Sequence, residues 1–481
     1  MIDPKNNPTL RDDKRCSKAP REAGASNRKP AANVGPTAPE STPVDGPIAG
    51  QSRGAPWLRY FEERERSQRA TSPSWIQLLR KAGIAHFAKL GFPTTAEEDW
   101  RFTDVTPLSL HPWQPASDLC SVLGGVDPEV AARVPRFRDC CELVFIDGRF
   151  VSALSSNHES PLALSVCNLT RGLASLPGAQ FSHFGRVARY GVNGLAALNT
   201  AMFEDGAFIV VPAHCVVKQP IHVIFLTTAE ADQSAFHPRN FIWVKAGGEV
   251  KVIEHYVSVG QTLHFTNAVT EMTIEEGARL EYCKIQDESP LAYHVALTEC
   301  HQARGSRFVS HSVSRGAKLG RHELIASLDG ENAECTFNGL FLGGNRQLVD
   351  HHTLIEHHSP RCASHEDYHG ILDGQAQGVF NGKILVRKEA QKTDAKQSNR
   401  NLLLSENATI YSKPQLEIFA DDVRCTHGAT VGSLDKEALF YLRSRGLDLE
   451  AARRLLIRAF ASQILNRISL APVREALDGF V

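Results

Sequence analysis

The chain has 481 residues, and 53 Lys and Arg stand against 54 Asp and Glu, which gives a formal charge of −1. This balance argues against a protein that coats nucleic acid or binds a membrane surface through a basic face. Glycine (35 residues) and proline (25 residues) occur at ordinary globular frequency. The length predicts about three structural units.

Cysteine content and hydropathy indicate the compartment. The 11 cysteines are odd in number and form no CxxC pair, which is typical of free thiols in a reducing environment. No apolar run approaches the roughly 18 residues needed to span a bilayer, and the N-terminus lacks the apolar core of a secretory signal. We therefore expect a cytoplasmic protein without a membrane or nucleic-acid partner.

Residues 1–55 are rich in Pro, Gly, Ala, Ser, Lys and Arg and have few large aliphatic side chains. Such a segment cannot bury enough surface to offset its ordering entropy, so we predict a disordered tail. An organelle transit peptide is the alternative, because Arg and Ser are plentiful. Acidic residues such as Asp12, Asp13 and Glu22 count against that alternative.

Residues 56–139 have a helical pattern. Ser74 is predicted to cap a helix that ends at Gly91. The residues that recur at three-to-four spacing, and so predict its buried face, are Trp75, Leu78, Leu79, Ala82, Ala85 and Leu90. In the EEDWRFT segment that follows, Trp100 and Phe102 predict a short extended piece with one apolar face.

Residues 140–432 contain many short Val, Ile, Leu and Phe runs bounded by Gly, Asn, Asp or Pro, which predicts strands. A turn pattern recurs between them, in which Gly or Asn precedes a small residue and an extended run resumes. This is typical of stacked coils whose turns need a residue that tolerates positive φ. At about 20–45 residues per repeat, we expect roughly 7–14 coils of a β-solenoid. A β-sandwich is the alternative, although its domains rarely run this long.

Residues 433–481 are predicted to be helical. Ser433 is expected to cap a first helix that Gly446 ends, and Asp448 to cap a second helix that Pro472 closes. The apolar stripe predicted on the second helix consists of Ala452, Leu455, Leu456, Ala459, Phe460, Ile464 and Ile468.

A dense histidine cluster is one candidate site. Its members, with one cysteine, are His351, His352, His357, His358, His365, His369 and Cys362. On a strand, His351, Thr353, Ile355 and His357 share one face, and which face is buried stays open. The spacing matches no zinc finger. The alternatives are an iron-dependent β-fold enzyme and an ordinary polar face.

Cys425 and His427 form the second candidate. Two residues apart on a strand, they point the same way, and thiolate and imidazole can both ligate iron–sulfur clusters. Two ligands do not complete a four-coordinate site, so the other ligands must come from another surface. A Cys–His nucleophile and a cysteine that only packs are the alternatives.

Nucleotide-binding motifs are missing from the sequence. It contains no GxxxxGK[ST] phosphate loop and no GxSxG nucleophile elbow, and no GxGxxG follows a strand. Any ATP hydrolysis linked to this chain must therefore be performed by a partner.

The motifs AQKTDA, NLLLS, KPQLEIFADDV and LFYLRSRG, together with EEDWRFT near residue 100, closely resemble the SufB/SufD family of iron–sulfur cluster assembly scaffolds. The likeness covers about residues 57–475. The CxHGAT form, with Cys425, His427 and Gly428, resembles the SufD branch of that family.

The resemblance implies a mainly β fold, a right-handed parallel β-helix between two helical regions. It implies a non-enzymatic scaffold in a complex with a SufB-like subunit and a SufC-like ATPase, and a homodimer when the chain is isolated. Cys425 and His427 would face the SufB-like subunit and share transient iron or a nascent cluster, with no cofactor held tightly by the isolated chain. The residues expected to bind the ATPase are Leu434, Asp435, Leu439, Phe440, Tyr441, Arg443, Arg445 and Gly446.

Overall fold

A computed structural model describes residues 54–68, 73–115, 127–156, 164–175 and 183–480. The predicted tail, apart from its last two residues, lies outside these ranges, and so do both interpretations of it. In the described part of the chain, no helix is long and apolar enough to cross a membrane.

Helices stand mainly before and after the strands. The α-helices are α1 (Ala55–Gln68), α2 (Ser74–Leu90), α3 (Thr106–Leu110), α4 (Pro128–Ala132), α5 (Leu169–Ser175), α6 (Gly194–Met202), α7 (Lys436–Ser444), α8 (Leu449–Leu465) and α9 (Ala471–Asp478).

Strands fill the middle of the chain, and ten-residue strands dominate its second half. The strands are β1 (Gln114–Pro115), β2 (Cys141–Ile146), β3 (Arg149–Phe150), β4 (Ser165–Asn168), β5 (Ala207–Val211), β6 (Ile221–Thr227), β7 (Ser234–Phe236), β8 (Arg239–Val244), β9 (Glu249–Ser258), β10 (His264–Ile274), β11 (Arg279–Glu288), β12 (Tyr293–Gln302), β13 (Arg307–Gly316), β14 (Leu319–Leu328), β15 (Glu334–Gly343), β16 (Leu348–His357), β17 (Ala363–Leu372), β18 (Gln377–Val386), β19 (Asp394–Leu403), β20 (Thr409–Ile418) and β21 (Arg424–Gly432).

Successive strands alternate between two sheets. The even-numbered strands from β8 to β20 pair in parallel in an 11-stranded sheet, called sheet A, and the odd-numbered strands from β9 to β21 pair in parallel in a 10-stranded sheet, called sheet B. The chain thus winds through about eight turns of a β-solenoid. This confirms the predicted parallel β-solenoid with helices at both ends, and the β-sandwich alternative is wrong.

One corner of each coil uses positive φ, as the turn pattern predicts. Gly277 (φ 65°), Gly305 (φ 64°) and Asn332 (φ 58°) occupy this position in successive coils. The N–H of Gly277 donates to the Arg304 carbonyl of the next coil at 2.9 Å, and Gly305 donates to Glu331 in the same way. The corner therefore continues the ladder of hydrogen bonds between coils.

Helix α2 buries a face that differs in part from the one predicted, although Trp75 and Leu79 do pack half-buried against the core. In α2 the buried residues are Ile76, Gly83 and Phe87, whereas Leu78 and Leu90 are exposed. Ser74 is the first residue inside the helix and makes no side-chain cap, so its predicted role is wrong; the predicted end at Gly91 is confirmed. Tertiary contact with α6 selects the narrow Gly83 face, because a bulkier side chain would prevent the close approach.

The EEDWRFT segment is not extended. Glu98–Trp100 form a 3₁₀ turn, and the buried Trp100 ring lies 3.8 Å from the Arg321 guanidinium carbon. Phe102 stacks on Tyr411 of β20, with ring centroids 4.1 Å apart. The two aromatic residues therefore serve separate contacts and share no single apolar face.

At the other end of the chain, α8 and α9 cover the outer face of sheet B. Ile464, Leu465 and Ile468 pack on a row of solenoid side chains that includes Ile285 and Leu340. The predicted stripe is only partly right, because α8 ends at Leu465 and both Leu455 and Ala459 are exposed.

The caps of these helices differ in part from the prediction. Asp435, and not Ser433, caps α7 by accepting the N–H of Glu437 at 2.8 Å. The predicted Asp448 cap of α8 is confirmed. Pro472 does not close a helix but lies in the first turn of α9, where its missing N–H costs nothing.

Helices α5 and α6 inside the 140–432 region were not predicted. Eight of the nine residues of α6 are buried, so its sequence has no polar face and shows no helical periodicity. Such a helix is recognised only from its tertiary surroundings.

Candidate functional site

The C-terminal end of the solenoid is open. Strands β20 and β21 are the last strands of their sheets, and in β21 every residue except Cys425 is exposed. Large apolar side chains are exposed on and beside these strands, namely Tyr411, Ile418, Phe419 and Val431. Unpaired strand edges with apolar side chains are typical of a surface that pairs with another chain.

Cys425 and His427 lie on this end strand and on the inward side of the coil. In the ladder Cys425 pairs with Ala395 and His427 with Gln397. Ala395 and Gln397 are buried in the solenoid, and Lys396 between them is exposed, so the odd-numbered positions face the interior. Because β21 belongs to the last coil, its inward side chains are reached from the open end.

The chemistry of the pair suits a ligand set better than a nucleophile. Cys425 is half-buried beside Ile384 and Ala395, and burial raises the pKa of its thiol. A nucleophilic cysteine needs the opposite shift. A metal ion can displace the thiol proton directly, and His427 is exposed about 7 Å along the strand.

The pair is not completed by a third ligand from the described residues. Within those residues, no three His, Cys, Asp or Glu side chains form a group that could hold a metal ion. The two side chains therefore form at most half of a binding site, and we call Cys425 and His427 the half-site.

Helix α7, which carries most of the residues expected to bind the ATPase, stands out from the solenoid and has no buried residue. Phe440 is 75% exposed and Tyr441 61% exposed, while Leu434 and Leu439 are half-buried. Arg443 and Arg445 are exposed at its C-terminal end, and Gly446 ends the helix with φ 99°. The helix presents aromatic and cationic side chains together.

The histidine cluster does not converge. His351 and His357 face the interior of the solenoid, where His357 Nε2 lies 2.9 Å from Ser364 Oγ. The opposite face of the strand is largely buried too, since His352 and Glu356 are also buried. The other imidazoles lie elsewhere: His358 contacts Asp329 at the surface, His352 contacts Asp350 and His369 stacks on Phe460. The cluster offers no common metal position, and the geometry does not favour an enzyme built on it.

Two buried polar residues were missed from the sequence. Asp350 is fully buried, accepts a hydrogen bond from Thr103 at 2.6 Å and pairs with Arg321, which ties the EEDWRFT segment to sheet A. Gln397 is the second residue, and it pairs with His427 in the ladder from the preceding coil. Counting back about 30 residues, the length of one coil, from His427 would have identified Gln397. The contact of Asp350 could not be found in this way, because a charged residue in a sequence is normally taken to lie on the surface.

Comparison with known proteins identifies the family. The family model described as the SufBD core domain of the SUF system for FeS cluster assembly matches residues 225–460. The model for the SufBD N-terminal region matches residues 52–223. Together they cover the solenoid and the helices as far as residue 460 in α8, and α9 lies beyond them.

Relatives align over most of their length. A SufBD family iron–sulfur cluster assembly protein of Synechocystis sp. is 35% identical over 85% of this chain and 90% of its own length. The iron–sulfur cluster assembly protein SufD of Escherichia coli is 31% identical over 86% of this chain and 92% of its own, and that of Bacillus subtilis is 24% identical over 88% and 95%. These similarities, the solenoid and the motifs agree: the chain belongs to the SufBD family of iron–sulfur cluster assembly proteins.

Proposed function

We propose that this chain is a SufD-like, non-enzymatic scaffold subunit that pairs with a SufB-like subunit through the open end of its solenoid. The observation that carries the proposal is the half-site on the end strand, beside unpaired edges and exposed apolar side chains. A partner that docks on β20 and β21 would cover these groups and bring its own ligands to Cys425 and His427.

The cargo of the shared site is iron or a nascent iron–sulfur cluster. A thiol and an imidazole are ligands for either, and two ligands hold such a cargo weakly until a partner adds more. The isolated chain therefore keeps no tightly bound cofactor. Without its partner, the same surface pairs with a second copy, because an exposed edge is a template for any compatible strand.

A SufC-like ATPase is the second partner. The chain has no phosphate loop of its own, and α7 offers exposed Phe440 and Tyr441 beside Arg443. Buried aromatic and arginine side chains supply most of the energy of interfaces. Nucleotide-driven movement of α7 would then reach the half-site, because only Ser433, Leu434 and Asp435 separate α7 from β21.

Substitution of the half-site tests the first partnership. In the complex co-expressed with SufB-like and SufC-like subunits, we expect Cys425→Ala and His427→Ala to leave assembly intact and to lower iron content. Cys215→Ala, at another half-buried cysteine, is the matched control and should retain iron. Normal iron content in both half-site variants would reject the role of this pair.

Substitution on α7 tests the second partnership. We expect the double variant Phe440→Ala and Tyr441→Ala to lose most of the co-purified ATPase, because truncating central aromatic side chains costs about 2 kcal/mol or more each. Leu110→Ala and Val192→Ala change side chains that are 70% and 77% exposed elsewhere and should have no effect. Unchanged co-purification, measured by mass photometry, would contradict the assignment of α7.

A further inference from the structure

The interior of the solenoid, which we call the lumen, is unusually polar. Solenoid cores are generally filled by stacked apolar side chains, and part of this lumen follows that rule, with Phe337 and Phe380 among its members. Along the middle, however, inward-facing positions of successive coils carry buried titratable or hydrogen-bonding groups: Glu254, Tyr282, Lys284, Glu288, His294, Ser310, Ser312, His322, His351, Glu366, Tyr368, Gln397 and Asn399.

The N-terminal part of this row is a cluster of charges around Lys284. Lys284 Nζ lies 2.8 Å from His294 Nε2, and His294 Nδ1 lies 2.8 Å from a Glu288 carboxylate oxygen. Glu288 also contacts His264 Nε2 at 3.2 Å. Burial lowers the pKa of Lys284 to about 8, which makes its ammonium group a better proton donor than that of an exposed lysine.

Imidazoles continue the row toward the open end. His322 lies 3.1 Å from Thr298 Oγ1 and 3.3 Å from Ser312 Oγ. Its ring centroid is 6.0 Å from that of His351 in the next coil, and His351 is 5.4 Å from Tyr368. Centroid separations of this size are typical of rings in direct van der Waals contact, so the rings of His322, His351 and Tyr368 form a continuous row along the lumen.

The last residues of this polar row lie next to β21, the strand that carries the half-site. Gln397 Nε2 donates to Glu366 at 2.7 Å, and Gln397 is the ladder neighbour of His427. Between β11, which carries Lys284, and β21 there are five ladder steps in sheet B, or roughly 24 Å at about 4.8 Å per step. The row therefore runs from deep in the solenoid to the open end.

Several of these groups have buried polar atoms without a protein partner. Ser310 Oγ, His351 Nδ1 and Gln397 Oε1 are such atoms, in residues that are at least 97% buried. Buried polar atoms in folded proteins are almost always hydrogen-bonded, to water where no protein group is in reach. Three atoms of this kind spaced along one lumen indicate water at several levels.

From this arrangement we propose that the lumen holds a file of water molecules, open to solvent beside His427, along which protons move between the Lys284 cluster and the open end. Each transfer takes a proton from one oxygen or nitrogen and delivers it to a lone pair of the next, so neither electrons nor a co-reactant is required. His351 and Glu366 are the protein groups that contact water in the file, and His322 joins them through the hydroxyls of Thr298 and Ser312.

The file has a consequence at the half-site, and this consequence rests on the proposed function. Ligands lose their protons when they bind a metal ion, and a docked partner would close the direct route to solvent. The lumen would then accept those protons through Gln397-bound water. Hydration of the lumen itself needs neither a partner nor iron, so it is tested on the isolated chain.

The test measures how fast the ring N–H groups of the buried histidines exchange with water. In full-length protein labelled with ¹⁵N-histidine, we expect the N–H signals of His322 and His351 to exchange with water by magnetisation transfer, far faster than global unfolding allows. His322→Gln and His351→Gln assign the two signals. Exchange only at the unfolding rate in the unsubstituted chain would overturn the proposal, whatever the fate of any variant.

A plug near the open end tests the route. Gln397→Leu places an apolar side chain of similar size in the file, and we expect N–H exchange at His351 to slow severalfold. Lys396→Leu is the matched control, since it introduces the same side chain one residue away on the outer face, and it should not change exchange. Equal exchange in the two variants, with both folded by circular dichroism, would contradict entry beside His427. A negative result in this experiment would not bear on the proposed function, because that function is tested separately by the iron content of the complex.

Discussion

The proposed ligand role of Cys425 and His427 depends on the coil in which they lie. The same two ladder positions carry Ala395 and Gln397 one coil earlier, where the next coil covers them and they are buried. In the last coil, inward-facing side chains have neighbours on one side only. A thiol there is half-buried, which raises its pKa and keeps it protonated until a ligand competes for it.

Glu366 predicts a pH dependence of stability. Burial raises the pKa of its carboxyl to about 7, above the ordinary value of an unfolded chain. The folded state then holds more protons than the unfolded state between about pH 4.5 and 7. The contribution of Glu366 to the free energy of unfolding therefore falls as pH rises through that window.

Comparison of the unsubstituted chain with Glu366→Gln isolates this effect. The glutamine cannot ionise, so the variant does not lose this stability as the pH rises. The melting temperature of the variant minus that of the unsubstituted chain should therefore increase from about pH 4.5 to 7 and stay constant above pH 7. The measurement is thermal unfolding by calorimetry at a series of pH values. A difference that stays constant across this window would show that Glu366 is not held protonated.

At the scale of elements, contact geometry overrides periodicity. The apolar pattern of α2 predicts a face with Leu78 and Leu90, yet the helix packs through Gly83, because the narrowest face lets α6 approach most closely. A Cβ on Gly83 would lie 2.7 Å from the backbone nitrogen of Ala201, which is too short for any real contact. Only glycine permits this crossing.

The crossing makes a measurable prediction. Gly83→Leu must push α6 away from α2, and overpacking of this kind costs about 1–3 kcal/mol of unfolding free energy, or more. Ala85→Leu puts the same side chain on the exposed face of the same helix and should stay within about 0.5 kcal/mol. Urea denaturation followed by circular dichroism compares them. Equal stability of the two variants would mean that the helices do not cross at Gly83.

At the scale of the whole molecule, each coil contacts only its neighbours. Stability in such an array is a sum of coil terms and nearest-neighbour terms, so a terminal coil that lacks one neighbour is weaker. At the N-terminal end the sheet edges are covered by short antiparallel strands, β4 on β5 and β3 on β2. The C-terminal end has no such cover among residues 183–480, since α8 and α9 pack on the outer face of sheet B.

Hydrogen exchange should follow this asymmetry. We expect the β20 and β21 amides to exchange through local opening, at rates well above those of β11 to β17, where only larger openings expose the backbone. Mass spectrometry of peptides from each coil measures the gradient, and the buried strands of the same chain serve as the control. Uniform protection along the solenoid would contradict an open C-terminal end.

Much of this architecture is readable from the sequence. Short apolar runs and turn residues repeat because every coil must bury its inner face and turn its corners, so local patterning carries the solenoid. That Cys425 and His427 share one face follows from the two-residue period of a strand. The caps at Asp448 and Gly446 follow from local backbone chemistry.

Tertiary structure alone decided the remaining features. Which face of α2 is buried, where Asp350 meets Thr103 and which histidines enter the lumen depend on residues far apart in the chain. The polar row from Lys284 to Gln397 is invisible in sequence order, because its members are brought together by stacking coils about 30 residues apart. Local sequence specifies the coil, but only the superposition of coils specifies what lies inside it.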